Sequence, residues 1–371
     1  MAKVSTPTDN GTGAYSLDTL AQLRKVSNDK GCSASQISFQ KRSRAKVLTD
    51  SLIFRLVDQD SPMNKSYWQT YWCTRTILQD GITTKSRYCN QRFCLVCNRI
   101  RTARLINGYS EQLSGLENPY FVTLTTRNVQ AVELRERINL MAKNFVKLKD
   151  RLRKQGIKLK GIRKIECTYN PKRDDYHPHY HLIVEGCRES FTVVSEWIKT
   201  DPTIATIQGQ DIRYADQSAP TELFKYFTKM LSNSGTFYAK PMDVIFRAMK
   251  GKRVFQPFGG IKRCSEDVEV ERENTVDWKE PQTEIWTYEK AAEYSDWYNS
   301  RGESFSEVRL TDETMQLIDR INPTYFTDNT DIHKLERKQQ ENRWENEDAN
   351  HNPTQKGNQL QPDLTSKSFE P

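Results

Sequence analysis

Two strand-like segments joined by a short turn constrain the fold of this chain most. Residues 161–169 and residues 177–185 are rich in β-branched and aromatic side chains. Residues 170–175 between them combine Asn, Pro and Asp, which is the composition of a turn. Two such segments at this separation predict an antiparallel β-hairpin.

The segments around the hairpin complete an α+β pattern. Residues 120–126 have the composition of a strand. Apolar residues spaced four and three apart over residues 134–152 predict a long helix, which Gly156 ends. We further predict three helices, at residues 98–113, 191–199 and 220–231. A short strand is predicted at residues 212–214. This order favours a mainly antiparallel sheet covered by helices.

Three of the five histidines of the chain lie in the second segment of the hairpin, at positions 177, 179 and 181. Because alternate side chains of a strand share a face, His179 and His181 point the same way. Hairpin geometry brings Glu166 near this pair as a third ligand, and His177 is a second candidate. Such a set suits Mn²⁺ or Mg²⁺ in a phosphoryl-transfer site, and Zn²⁺ is also compatible. The alternative is a trio of hydrogen-bonded surface histidines.

Glu222 and Tyr226 are four residues apart in the predicted helix 220–231, which places them on one helix face. A tyrosine beside a metal ion is a competent nucleophile for a phosphodiester, and a nearby glutamate can activate water. Lys225 and Lys229 lie beside them as candidate phosphate ligands. The alternative for Tyr226 is an ordinary core tyrosine.

Cysteine spacing predicts a second metal site. Cys73, Cys89, Cys94 and Cys97 have the spacing C-x15-C-x4-C-x2-C, and four thiolates can close a tetrahedral Zn²⁺ site. Ordinary buried thiols are the alternative. The site would hold three basic residues as a DNA-facing surface: Arg87, Arg92 and Arg99.

Charge and composition indicate the partner and the domain plan. The 371 residues carry a net charge of +8, with cations clustered at 85–104 and 143–164, a pattern typical of nucleic-acid binding. Only 36% are hydrophobic, which predicts poorly packed parts. We expect a flexible arm (1–45), a cysteine-rich segment (46–118) and a central domain (119–265). A C-terminal extension (266–329) and a disordered polar tail (330–371) follow.

The sequence also indicates the compartment. The first residues lack the apolar core of a secretory signal, and no run of apolar residues is long enough to span a membrane. We therefore expect a cytoplasmic protein without a membrane partner, in which the thiols stay reduced.

Three segments in order resemble the motifs of HUH endonucleases: Phe121-Val-Thr-Leu-Thr-Thr126, His177-Pro-His-Tyr-His181 and the stretch from Glu222 to Lys229. They are most similar to the replication initiators of small rolling-circle plasmids, over residues 70–262. The cysteine stretch also resembles the one that precedes these motifs in such initiators.

This resemblance implies a ferredoxin-like antiparallel sheet and a nickase domain over residues 119–265. It implies metal binding by His179 and His181, and a single catalytic tyrosine, Tyr226, that forms a covalent phosphotyrosine. Glu222 matches the glutamate that serves as the terminating base in some of these initiators. The partner would be plasmid origin DNA, both double-stranded and single-stranded.

Other classes of protein remain as alternatives. A transposase or relaxase of the same superfamily would use the same chemistry, and a zinc-stabilised DNA-binding regulator would use none. The chain has no Gly-x4-Gly-Lys-Ser/Thr phosphate loop, so an initiator of this kind would rely on a host helicase and a host DNA polymerase.

Overall fold

The structure, a computed structural model, describes residues 34–81, 83–224, 236–263 and 283–327. The strands in chain order are β1 (Thr76–Asp80), β2 (Thr83–Ser86), β3 (Pro119–Thr125), β4 (Gly161–Asn170), β5 (Asp175–Glu185), β6 (Asp211–Tyr214), β7 (Phe255–Phe258), β8 (Glu284–Glu289) and β9 (Asp296–Tyr298). The helices are α1 (Ala34–Val57), α2 (Asn64–Tyr71), α3 (Leu95–Ser114), α4 (Leu134–Lys154), α5 (Cys187–Thr200), α6 (Ala219–Phe224), α7 (Ala239–Met249) and α8 (Asp312–Ile321).

The larger sheet has the antiparallel order β6-β3-β5-β4-β7. Its chain order is β3, α4, β4, β5, α5, β6, which gives four strands in the ferredoxin-like arrangement, and β7 extends the edge beside β4. The α+β fold class, the ferredoxin-like sheet and the 161–185 hairpin predicted from the sequence are therefore confirmed.

One face of this sheet is covered by α4, α5 and α7. The apolar spacing of α4 places its buried side chains in one stripe, and the helix stops before Gly156, whose φ of 75° suits a glycine. Aromatic rings join the layers: the ring centroids of Phe145 and Tyr180 are 5.7 Å apart, and those of Tyr180 and Trp197 are 5.9 Å apart. Each such buried ring contributes several kcal/mol through removal of apolar area from water, roughly 25 cal/mol per Å².

The opposite face, which carries the histidines, is covered by α3 and α6. Tyr109 and Leu113 of α3 pack in one apolar cluster with Leu223 of α6 and Ile183 of β5. The predicted boundary between residues 118 and 119 therefore runs through a shared core. The boundary was placed where the composition changes, and composition carries no information on which helix covers the sheet.

A smaller antiparallel sheet has the order β2-β1-β8-β9 and joins distant parts of the chain. Ile77 of β1 pairs with Trp286 of β8, and the Trp297 indole donates a hydrogen bond of 2.7 Å to the carbonyl of Thr74. The described part of the predicted extension 266–329 is thus integrated with the cysteine-rich segment rather than appended to it.

Helix α1 corrects the predicted arm at residues 1–45, because the chain is helical from Ala34 and packs against α2, α3, α7 and α8. Its buried face holds an ion pair in which the Lys46 Nζ lies 2.7 Å from the Asp50 carboxylate. Polar residues in this segment suggested an arm, but Ser43 is buried in the folded chain, where its hydroxyl donates a hydrogen bond of 2.7 Å to the carbonyl of Ser295. The rest of the predicted arm and the whole of the predicted tail lie outside the described residues. Among the described helices, none has the length and apolarity to cross a bilayer.

Candidate active site

The β4–β5 hairpin brings together the two histidines and the glutamate expected from the sequence. Glu166 pairs in register with His179, and Lys164 pairs with His181. Ligand atoms of Glu166, His179 and His181 lie within 4.8 Å of one another. We call these three residues the HHE group. As predicted, Tyr180 points into the other layer, where it is buried.

Hydrogen bonds orient both imidazoles of the HHE group. The Nδ1 of His179 lies 3.0 Å from the carbonyl of His177. Because a carbonyl only accepts, this Nδ1 carries the proton, and Nε2 keeps its lone pair. The Nδ1 of His181 lies 3.2 Å from the Thr123 hydroxyl. The two Nε2 atoms then face each other at 3.1 Å, and the Nε2 of His181 lies 3.7 Å from a Glu166 oxygen.

Burial and charge set the protonation of this group. Burial lowers the pKa of His181 to about 3, and repulsion between two protonated imidazoles at this separation acts in the same direction. Burial alone would raise the pKa of Glu166, but Lys164 and the two histidines outweigh it and lower the pKa below its ordinary value. A neutral imidazole beside an ionised carboxylate is the form that binds a divalent cation, so these residues fit such an ion.

Lys164 is a site residue that the sequence reading missed. It was counted in the basic cluster at 143–164, but its side chain is 2% exposed and its Nζ lies 2.8 Å from Glu166. The alternation of side chains along a strand could have identified Lys164 as a neighbour of Glu166, because residues 164 and 166 share a face. Arg163 on the other face is also buried, over the rings of Phe145 and Tyr180.

His177, the second candidate ligand, lies beside the HHE group rather than within it. Its ring centroid is 5.1 Å from that of His179, and its Nδ1 is 2.7 Å from the Asn128 side-chain oxygen. Burial, with the charge of His179, lowers its pKa to about 4. Of the two third ligands considered, the geometry brings Glu166 to the pair.

Glu222 of α6 lies on the histidine side of the sheet and forms an ion pair with Arg213 of β6. The Arg213 guanidinium lies over the ring of Phe121, which is also 5.4 Å from the ring of His181. Arg213 was not singled out in the sequence. Three predicted residues lie outside the described part of the chain: Lys225, Tyr226 and Lys229.

Four cysteines meet at the start of α3, as predicted. The sulfur of Cys73 lies 3.5 Å from that of Cys97 and 3.6 Å from that of Cys94, and Cys89 lies 3.7 Å from Cys97. All four sulfurs lie within 4.8 Å of one another. Four sulfur atoms this close together could hold a metal ion, and four thiolates suit the tetrahedral coordination of zinc.

The three arginines predicted to face DNA differ in environment. Arg87 and Arg99 are exposed. Arg92 instead donates hydrogen bonds to the backbone carbonyls of Met249 and Lys252, near the end of α7. These contacts tie the guanidinium of Arg92 to the protein, and a place for Arg92 in the DNA-facing surface stays a prediction.

The sequence of this chain is similar to those of several known proteins. The profile of a family described as "Replication protein" matches residues 81–305. A protein named Protein rep from Staphylococcus aureus is 34% identical over 163 residues, which are 39% of this chain and 71% of that protein. Namesakes from Streptococcus pneumoniae and Bacillus amyloliquefaciens are 28% and 29% identical, over 30% and 29% of this chain. The matches span 38% and 33% of those two proteins, about a third of their length. No solved structure gives a significant match.

Proposed function

The chain belongs to the replication protein family, and on that premise we propose that it starts rolling-circle replication of a plasmid by nicking one strand of the origin. Family membership agrees with the resemblance carried by the three sequence motifs. The observation that supports nicking most directly is the convergence of His179, His181 and Glu166 on the sheet face against which α6 also packs.

The HHE group would hold Mn²⁺ or Mg²⁺. Such an ion polarises a phosphodiester and offsets the charge that develops on it. The protein's own part is to present two Nε2 lone pairs and one carboxylate, and the contacts from Thr123 and from the His177 carbonyl keep both rings turned that way.

Tyr226 supplies the nucleophile in this proposal. Its phenolic oxygen attacks the scissile phosphorus, the bond from phosphorus to the 3′ oxygen breaks, and that oxygen leaves as a 3′-hydroxyl after taking up a proton. The 5′ phosphate stays on the tyrosine as an ester. A host polymerase extends the 3′-hydroxyl, and a host helicase unwinds the duplex, in the cytoplasm.

Glu222 acts at the end of the cycle. Its carboxylate takes a proton from water, the water oxygen attacks the phosphotyrosine, and the tyrosine leaves with a proton. The spacing of four residues between Glu222 and Tyr226 supports this role, because in the helix predicted from the sequence over residues 220–231 it would put both on one face. We expect Glu222→Ala to nick normally and to accumulate unresolved product in a plasmid replication assay.

Zn²⁺ on the four cysteines would stabilise the segment that leads into α3. The exposed Arg87 and Arg99 lie two residues before Cys89 and two residues after Cys97, and would contact the DNA backbone. In this view the zinc site is structural and takes no part in the cut.

A nicking assay tests the proposal. Wild type, Tyr226→Phe and a control, Tyr294→Phe, are mixed with supercoiled DNA carrying the gene region of the protein, with Mn²⁺ or with EDTA. Tyr294 is an exposed tyrosine between β8 and β9 of the smaller sheet. We expect open circles and covalent protein–DNA adducts only with Mn²⁺, for wild type and the control. Binding without cutting by all three proteins would favour the zinc-stabilised regulator instead.

The same assay separates the related biological roles. Cutting at the ends of a mobile element, or at a transfer origin, would indicate a transposase or a relaxase with the same chemistry. Cutting within a plasmid replication origin supports the initiator.

A further inference from the structure

The ion pair between Arg213 and Glu222 lies beside the HHE group and is not explained by metal binding. Arg213 and Phe121 are neighbours across β6 and β3, and Phe121 and Ile183 are neighbours across β3 and β5, so these side chains share the histidine face. The Arg213 guanidinium carbon lies 4.4 Å from the centroid of the Phe121 ring. The centroid of the same ring lies 5.4 Å from that of His181.

The environment of Arg213 combines a fixed position with access to solvent. Phe121 is 2% exposed, so the ring beneath the guanidinium is held by the core. The side chains of Arg213 and Glu222 are 35% and 43% exposed. An ion pair this open to water contributes little to stability and readily exchanges one anion for another.

A phosphodiester is the anion that fits this place. A guanidinium presents paired N–H donors that match two phosphate oxygens, and stacking on an aromatic ring fixes the plane of that fork. The pair lies on the sheet face where a DNA strand would have to pass to reach His181. Glu222 occupies in the free protein the position that a backbone phosphate would take.

We propose that Arg213 binds a backbone phosphate of the DNA strand in the site, and that Glu222 is its counter-ion in the free protein. This inference rests on the proposed nicking function and adds regulation of Glu222 by DNA binding. Glu222 is engaged by Arg213 until DNA arrives, and its carboxylate is released for water activation only while a strand is bound.

Binding of a short fluorescein-labelled oligothymidylate, followed by anisotropy in EDTA at several salt concentrations, tests this exchange. Arg213→Gln should weaken binding about tenfold, as expected for a lost charge-assisted contact. The slope of log affinity against log salt should become shallower by about 0.7, the value for one phosphate contact in single-stranded DNA. Glu222→Gln should tighten binding several-fold, because Arg213 then has no competing carboxylate.

The double variant separates exchange from simple charge removal. If Glu222 acts through Arg213, adding Glu222→Gln to Arg213→Gln should leave the affinity of Arg213→Gln unchanged. Equal tightening by Glu222→Gln with and without Arg213 would overturn the proposal. A control arginine is Arg309, which forms an exposed ion pair with Glu293 outside the site. An equal loss of affinity in Arg309→Gln would also overturn it.

Folding and activity are checked separately. Thermal unfolding confirms that each variant is folded, and Arg213→Lys, which keeps the charge without the fork, should bind with intermediate affinity and an unchanged salt slope. If wild type fails to nick yet the double-variant pattern holds, the phosphate site stands and the nicking function fails. If wild type nicks and no coupling between Arg213 and Glu222 is measured, only the inference about Arg213 fails.

Discussion

Replacing Thr123 with valine should weaken metal binding at the HHE group without touching a ligand. Thr123→Val keeps the shape of the side chain and removes only the hydroxyl that lies 3.2 Å from the Nδ1 of His181. In the metal-binding tautomer that Nδ1 is protonated and donates to the hydroxyl. Loss of the acceptor leaves the ring free to rotate or to move its proton to Nε2, where it blocks the ion.

The size of the effect follows from this single contact. A net hydrogen bond contributes about 1 kcal/mol, and loss of an outer partner of a metal-bound histidine typically costs about 10- to 100-fold in affinity. Because the site of Thr123 is half-buried, we expect the lower end of that range, a dissociation constant for Mn²⁺ roughly tenfold higher. Isothermal titration calorimetry of the metal-free protein measures it directly.

A neighbouring threonine provides the matched control. Thr125 lies on the same strand face, pairs with His179 across the strands, and directs its hydroxyl to the carbonyl of Gly209 instead of to an imidazole. Thr125→Val should therefore leave the Mn²⁺ affinity unchanged. Equal affinities for the two variants would refute the idea that the Thr123 hydroxyl orients His181.

Three further variants test the rest of the fold. Cys94→Ser should lose bound zinc, measured by metal analysis of the purified protein, and unfold at a lower temperature, whereas the exposed Cys187→Ser should keep both properties. Asp50→Ala should lower the free energy of unfolding by about 3–5 kcal/mol in urea titrations, because it leaves the buried Lys46 ammonium without this carboxylate. Replacement of both Lys46 and Asp50, by Leu and Met, should recover most of the lost stability. Arg92→Gln should lower stability by about 1–3 kcal/mol and leave the salt dependence of DNA binding unchanged, since its guanidinium bonds to backbone carbonyls. A shallower salt slope would instead support its predicted place in the DNA-facing surface.

Local periodicity explains which parts of the site were predictable. The alternation of His179, Tyr180 and His181 fixed the faces of β5, and the turn length then placed Glu166 opposite His179. Lys164 was equally accessible to this reasoning, because it lies two residues before Glu166 in the same strand. It was missed because the basic cluster at 143–164, of which it is the last member, indicates a surface for nucleic acid rather than a buried site.

The pairing of distant strands explains what was not predictable. Arg213 reaches the site only because β6 lies next to β3, and nothing in the sequence of either strand specifies that neighbour. The same holds for β1 and β8: both are short, and their pairing is a property of the folded core that holds them side by side. Burial of α1 escaped notice because its inward face carries polar residues, such as Lys46, that find partners only in the folded chain.

The smaller sheet can be completed only late in the synthesis of the protein. The Trp297 indole and the Thr74 carbonyl that it binds are separated by 223 positions. During translation, β1 and β2 leave the ribosome long before β8 exists, so β1 presents an unpaired edge while the whole larger sheet is made. The hairpin with the histidines can close early, but the cysteine-rich segment acquires its last neighbours only near the end of elongation. A nascent chain that stops after β7 would carry every residue of the HHE group and still expose that edge, which makes interrupted synthesis a route to aggregation rather than to a smaller working protein.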